Sequence, residues 1–419
     1  MSEILLLFVF IFGYAAIAFE HPLRINKTAT SLVLAGLCWL IFRYSGTPET
    51  SHIGTHLHEH LSGIAEILFF LMGAMTIVEL IAAHNGFDHV TRFITTTNKR
   101  KLLWIIGLLT FFLSAVLDNL TTTIVMISLL RRLIEERRDR LIFASIIVVA
   151  ANAGGAWSPV GDVTTTMLWI GGQVSAINII KELFLPSLIC LLVPLAYQSI
   201  FVKGNIPDVN PFSQPQPASL TILILGILSL LSVPIFKTIT HLPPYLGMLL
   251  AVGILWVYTE IIHNKYTDRD HLKINHVLQR IDMSSILFFL GILLSVAALE
   301  SYGFLHHLAT WLDTSIGNKS LIITLLGVLS AIIDNVPLTA AVQGMYDLTQ
   351  YPTDHEIWEM LAYAVGTGGS LLIIGSAAGV VAMGMERIEF GWYLKNITFT
   401  ALLGYLVGIG LYLLILNML

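Results

Sequence analysis

The chain has 419 residues, 56% of them hydrophobic and only 12% charged, with a formal net charge of −5 and a mean hydropathy of +0.80. A water-soluble globular protein, about a quarter of whose residues are charged, is excluded by that balance. So few charges in so apolar a chain describe a polytopic membrane protein, one for which no nucleic-acid partner is expected.

A helix needs about 20 apolar residues to cross a bilayer. Runs of that kind lie near 4–19, 28–45, 61–83, 141–170, 183–202, 218–237, 245–262, 284–300, 357–383 and 393–417, which predicts an all-α fold with about ten transmembrane helices. The first run ends in Ala16-Ile17-Ala18, which imitates a cleavage site, but its front end carries Glu3 and no Lys or Arg, so it reads as a retained helix. Cys38 and Cys190 fall inside apolar runs, as buried small hydrophobes rather than disulfide or zinc partners. Ahead of the third run, His52, His56, His58 and His60 read as a solvated outer segment, with pH sensing or metal binding as alternatives because 52, 56 and 60 share a helical face. Glu66 and Glu79 follow on different faces of the third run, as candidates for a proton path or for interfacial solvation.

Two further apolar stretches do not read as crossings. Residues 102–130 are too many for one ordinary span, are interrupted by Asp118-Asn119, and are flanked by Lys99-Arg100-Lys101 and Arg131-Arg132. Lys and Arg stay on the cytoplasmic side, so both ends lie inside, which predicts a re-entrant hairpin with Asp118 and Asn119 at its tip. Its counterpart covers 320–346 and is followed by Asp347 to Glu359, which holds four acidic residues and no Lys or Arg, so that hairpin enters from outside. Threaded with both termini outside, only Arg43, Lys181, Lys237 and Lys319 of the 22 basic residues fall on the outer face. Ser-Ala-Val-Leu-Asp-Asn at 114–119 recurs as Ser-Ala-Ile-Ile-Asp-Asn at 330–335, Gly86-Phe87 as Gly303-Phe304, and Gly154-Gly155 with Gly161 as Gly368-Gly369 with Gly375. Two inverted-topology repeats are therefore predicted. One covers 28–202, with hairpin 102–130 and broken helix 141–170; the other covers 245–417, with hairpin 320–346 and broken helix 357–383. Residues 1–27 are an N-terminal extra helix, and 203–244 hold a polar linker, Asn205 to Pro217, and another extra helix.

An ionisable carboxylate in hydrocarbon costs about 2.5 to 3.5 kcal/mol even on the gentler insertion scales, so it is kept for a purpose. Backbone groups freed where a membrane helix breaks must line a cavity or find partners, and such breaks mark binding sites. The first break runs from Asn152 to Thr166 and the second from Gly366 to Ser376. Pairing each with its hairpin tip gives two half-sites: Asp118, Asn119, Thr122, Thr123, Asn152, Ser158, Asp162, Thr164 and Thr165; and Ser330, Asp334, Asn335, Thr339, Thr367 and Ser370. Their carboxylate, amide and hydroxyl oxygens suit a hard cation such as Na⁺ or Li⁺, since thiolate and imidazole are missing from both. Desolvation raises a carboxylate's pKa and a bound cation lowers it, so one site can exchange an alkali ion for a proton. Plainer readings stand beside these: the aspartates could cap helices, Thr164 to Thr166 could bond back to the preceding turn, and the glycine pairs could serve close packing. Which helix ends face the site is left open. An intramembrane enzyme is disfavoured by the lack of His-Glu-x-x-His, Gly-x-Ser-x-Gly or paired Cys/His.

The pairing of Ser114-Ala115-x-x-Asp118-Asn119-x-Thr121-Thr122 with the block from Asn152 through Trp157-Ser158-Pro159 to Asp162-Val163-Thr164-Thr165 resembles the NhaD-type sodium/proton antiporters of the ion transporter superfamily, over about residues 28–417. The resemblance implies a secondary Na⁺(Li⁺)/H⁺ antiporter of a bacterial inner membrane or related organelle. It further implies a homodimer that works by alternating access and has no cofactor besides the transported ions. Related branches carry Ser-Asn-Thr at the hairpin tip and move dicarboxylates with sodium; here Asp118-Asn119 and Asp334-Asn335 stand instead. The second hairpin has Val336-Pro337-Leu338-Thr339 where the first has Leu120-Thr121-Thr122-Thr123, so the half-sites are not chemically equal.

Overall fold

The computed structural model describes residues 2–18, 23–45, 53–91, 96–206, 216–264 and 266–418. His52 and the middle of the predicted linker, 207–215, lie outside the described residues.

Helices α1 (Ser2–Ala18) and α2 (Lys27–Arg43) open the chain, each 17 residues long. The long α3 (Ile53–Ala83) leads to a helix pair, α4 (Lys99–Leu117) and α5 (Asn119–Leu133), joined at Asp118. Next come α6 (Arg137–Gly155) and α7 (Val163–Ile170), two helices with 156–162 unwound between them, and then α8 (Ala176–Phe201). After α9 (Ser219–Thr240) the order returns: α10 (Pro244–His263), α11 (Met283–Ser301) and the amphipathic α12 (Phe304–Ile316). The pair α13 (Lys319–Leu329) and α14 (Asn335–Met345) is followed by α15 (Glu356–Gly368), the unwound 369–376, α16 (Ala377–Glu386) and α17 (Thr398–Leu416).

Among the described residues, seven helices are long and apolar enough to cross a bilayer: α3, α4, α8, α9, α10, α11 and α17. Six of these seven are among the ten expected runs, and the seventh, α4, falls in the stretch 102–130 that the sequence reads as a re-entrant hairpin, although by length and composition it could cross on its own. Helices α1 and α2 stop short of about 20 residues, and the runs at 141–170 and 357–383 are each cut in two. The chain is a multi-pass, all-helical membrane protein. Its outer faces say the same: Leu228, Ile235, Ile254, Val257 and Ile261 on α9 and α10 stand exposed, a surface stable only against hydrocarbon.

The broken helices occupy the centre. Every residue from Phe143 to Gly155 and from Ile357 to Gly368 is buried, as a helix apolar on all sides must be inside a bundle. Equivalent elements flank them: α4 packs on α6 as α13 packs on α15, while α2 packs on α11 and α3 on α10. One bond type pins each pair, Ser114 Oγ donating to the Ala151 carbonyl (2.6 Å) and Ser330 Oγ to the Val365 carbonyl (2.9 Å).

Candidate functional site

Helix α4 ends because Asp118 leaves helical geometry altogether, with φ 96° and ψ 157°. That region is populated almost only by glycine, and holding another residue there costs of order 1–3 kcal/mol. The conformation persists because both carboxylate oxygens are locked from the next turn: Oδ1 accepts from the Thr121 N–H and Oδ2 from its hydroxyl, each at 2.8 Å. The opening of α7 follows the same plan, with Asp162 Oδ1 accepting from Thr164 N (3.2 Å). Asp334 repeats it for α14 through Val336 N (3.2 Å), and Ser376 caps α16 through Gly379 N (3.2 Å). Asp118, Asp162 and Asp334, with Asn119 and Asn335, line one cavity at the middle of the molecule.

A chain of amides crosses this cavity from one half of the sequence to the other. Asn119 Nδ2 donates to Asp162 Oδ2 (3.0 Å) and to Asn152 Oδ1 (3.1 Å), and Asn152 Nδ2 passes the chain to Ser376 Oγ (2.9 Å). On the opposite side the Asn335 amide lies against Ser330 Oγ (2.5 Å), its nitrogen turned to the Val365 and Gly375 carbonyls at 3.2 Å. Asn119, Asn152, Asp162 and Asn335 are all buried. Buried amides in a satisfied network hold fixed orientations, so the oxygens left facing the cavity are preorganised.

Four helix N-termini, those of α5, α7, α14 and α16, converge here, which resolves the orientation left open by the sequence. Each carries about half a positive charge, a field that by itself attracts anions. Three of the four are already occupied by a built-in carboxylate. The cavity wall thus holds three acids against one base, Lys27, whose Nζ lies 4.7 Å from the Phe288 ring centre. Among the described residues no three His, Cys, Asp or Glu side chains converge closely enough to hold a metal together. A cation here would meet fewer than three of these carboxylates at once, together with amide and carbonyl oxygens.

The other expected residues are placed as follows. The hydroxyls of Thr122 and Thr123 are buried without a partner. Ser158 donates to the Ala115 carbonyl (2.5 Å), Thr165 to that of Asp162 (2.9 Å), Thr339 to that of Asn335 (2.9 Å), Thr367 to that of Tyr363 (2.6 Å) and Ser370 to that of Thr367 (2.6 Å). Ser158 ties the first break to α4, and the other four bond back to a backbone oxygen three or four positions earlier in their own segment. Glu79 faces Arg280 (3.7 Å), and neither it nor Glu66 is on the cavity wall. Three contributors escaped the sequence reading: Thr121 and Lys27 on the wall, and Tyr14 of α1, whose hydroxyl accepts from the Asp334 N–H at 3.0 Å. Thr121 could have been found by counting three positions on from an N-capping Asp.

Comparison with known proteins points one way. The profile of a family described as citrate transporter, CitMHS, matches residues 14–362. The chain is 48% identical to sodium/proton antiporter 1 of Arabidopsis thaliana, an alignment covering all of this chain and 73% of that one. It is 46% identical to sodium/proton antiporter 2 of the same plant, over 97% of this chain and 98% of the other. To the Na⁺/H⁺ antiporter NhaD of Vibrio cholerae it is 32% identical, over 98% and 91%. Among solved structures, the YdaH transporter of Alcanivorax borkumensis superposes with a TM-score of 0.61 at 13% identity, covering 93% of this chain and 98% of that one, so the two share a fold.

Proposed function

The chain belongs to the citrate-transporter family and, with the relatives just described, to its NhaD-type branch, and from that membership we propose that it is a secondary antiporter exchanging cytoplasmic Na⁺ or Li⁺ for external protons. The observation that carries this is the cavity wall, where three aspartates from both halves of the chain each hold a helix N-terminus. A carboxylate there takes a cation or a proton and not both together, which is the elementary condition for exchange.

In the topology we favour, ten spans and two re-entrant hairpins form inverted repeats over 28–202 and 245–417, and alternating access moves the hairpin-bearing elements against a scaffold. Both repeats place a capping Asp-Asn pair, Asp118-Asn119 and Asp334-Asn335, beside a Gly-Gly break, which supports that reading. A homodimer in a bacterial inner membrane or related organelle completes it.

Sodium-coupled uptake of a small anion such as a dicarboxylate is the second reading, favoured by the four convergent N-termini. Charge decides against it. Two like charges 4 Å apart still repel by about 4 kcal/mol at an effective dielectric constant of 20, and an anion would enter a cavity whose wall carries three carboxylates. Everted vesicles separate the two: Na⁺ added alone should dissipate an imposed acid-inside gradient. Flux that requires an added dicarboxylate would remove the antiporter reading. In the same assay Tyr14→Phe should slow exchange about fivefold, because losing one net hydrogen bond at the Asp334 backbone is worth about 1 kcal/mol. An unchanged rate would take α1 out of the site.

A further inference from the structure

A second polar site lies away from the cavity, where the ends of α5, α6 and α16 meet. Glu386, the last residue of α16 and 5% exposed, accepts from Arg131 Nε (2.6 Å) and Arg140 Nε (3.0 Å). Arg140 Nη1 is further committed to the carbonyls of Ile134 (3.2 Å) and Glu135 (2.7 Å). Arg137 Nη2 reaches the carbonyl of Arg387 at 3.4 Å. Arg387 itself caps α16 in the left-handed region, φ 52°, a position that usually falls to glycine. These four arginines line one pocket with Glu386, and Arg137 and Arg387 continue into an adjoining one that reaches Arg138 and Trp392.

Among the described residues neither Arg137 nor Arg387 is paired with a carboxylate. Glu386 serves two guanidinium groups at once. Glu136 and Asp139 are held by Lys99 at 3.0 and 2.5 Å, and only Glu389 stands on the rim of the adjoining pocket. Arg137 and Arg387 are exposed and keep most of their N–H donors for something else. Beside them the short helix Phe390–Asn396 turns Phe390, 42% exposed, and Leu394, 47% exposed, outward, while Trp392 on its other side lines the adjoining pocket. A ring-bearing apolar edge next to a basic pocket is the arrangement found at headgroup depth. A free phosphate ion would need the guanidinium groups but not that edge.

We propose that this pocket binds the phosphate of an anionic phospholipid, with Arg137 and Arg387 donating to the phosphate oxygens and the acyl chains running past Phe390 and Leu394. The site is placed to matter, because α5 and α16 begin at the cavity, at Asp118 and Ser376, and end at this pocket, at Arg131 and Glu386.

The test is thermal unfolding of the purified chain in phosphatidylcholine micelles, titrated with phosphatidylglycerol, with more phosphatidylcholine, or with inorganic phosphate. Phosphatidylglycerol should raise the unfolding temperature saturably and the other two should not. The double variant Arg137→Gln/Arg387→Gln should need about tenfold more phosphatidylglycerol for the same shift, the loss expected when bidentate charged contacts are removed. Equal stabilisation by inorganic phosphate would overturn the lipid assignment, and identical titrations of the wild type and the double variant would overturn the residues. Should the double variant not fold, the wild-type headgroup comparison decides alone: an equal response to both lipids rejects the proposal.

Discussion

Replacing Asp162 with Asn is expected to cut Na⁺-driven proton release by about a hundredfold or more while the protein still inserts and folds. The side chain is 3% exposed and spends Oδ1 on the α7 N-terminus and Oδ2 on Asn119, so it sits where the two broken segments and the first helix pair meet. Asn matches its volume and can still accept one of those bonds. What disappears is the charge, and a hundredfold is about 2.7 kcal/mol, modest for a carboxylate that must hold an ion in a low-dielectric cavity. Asp118 allows a sharper comparison, because capping and ion binding make opposite demands there. Asp118→Gly removes the carboxylate yet suits φ 96° far better than Asp does. Relief of the backbone, of order 1–3 kcal/mol, should at least offset the loss of the cap, since glycine as an N-cap costs only a few tenths of a kcal/mol. An Asp118→Gly protein with near wild-type unfolding temperature and no exchange would identify the carboxylate as functional. One that exchanges normally would reduce Asp118 to a cap.

Much of this site was legible in the sequence because membrane segments make polar residues conspicuous. Asp118, Asp162, Asp334 and the glycine breaks interrupt apolar runs that have no other reason to be interrupted, and duplication of the Ser-Ala-x-x-Asp-Asn block marked which acids belong together. The capping reading holds for each of these acids and does not exclude the functional one. Each aspartate caps a helix and lines the cavity as well, and capping is what aims it. Residues were missed where the signal is purely long-range. Tyr14 lies 320 positions from its partner Asp334, and nothing local distinguishes it from any interfacial tyrosine. Lys27 counts in the sequence only as one of the basic residues on the inner face, and it lines the cavity. The half-site read from the sequence includes Thr122 and Thr123 and omits Thr121, but a helix turns by 100° per residue, and of the three consecutive threonines it is Thr121 that reaches back to Asp118. Glu66 and Glu79 share a span with the core of the fold without sharing its polar centre.

Gly368→Ala is expected to be among the most damaging single-methyl changes, lowering stability by about 3 kcal/mol or more, at the upper end of overpacking costs. The added Cβ would fall onto the Gly327 carbonyl oxygen, a backbone atom of α13 that no side-chain rotation can clear. Gly154→Ala meets the same obstacle in the Phe111 carbonyl of α4 and should behave alike, since α4 rests on α6 as α13 rests on α15. Close approach at these points holds α4 against α6 and α13 against α15, and the turns that follow α4 and α13 carry Asp118 and Asp334. Displacing α13 therefore moves the Asp334 turn as well, and exchange should fall together with the unfolding temperature. Gly410→Ala on α17 is the control: nothing lies within 4 Å of its added Cβ, and alanine in a helix interior should leave stability equal or slightly higher. If Gly368→Ala unfolds at the same temperature as Gly410→Ala, α13 and α15 are not in the contact described, and the common cavity for Asp118, Asp162 and Asp334 loses its structural basis.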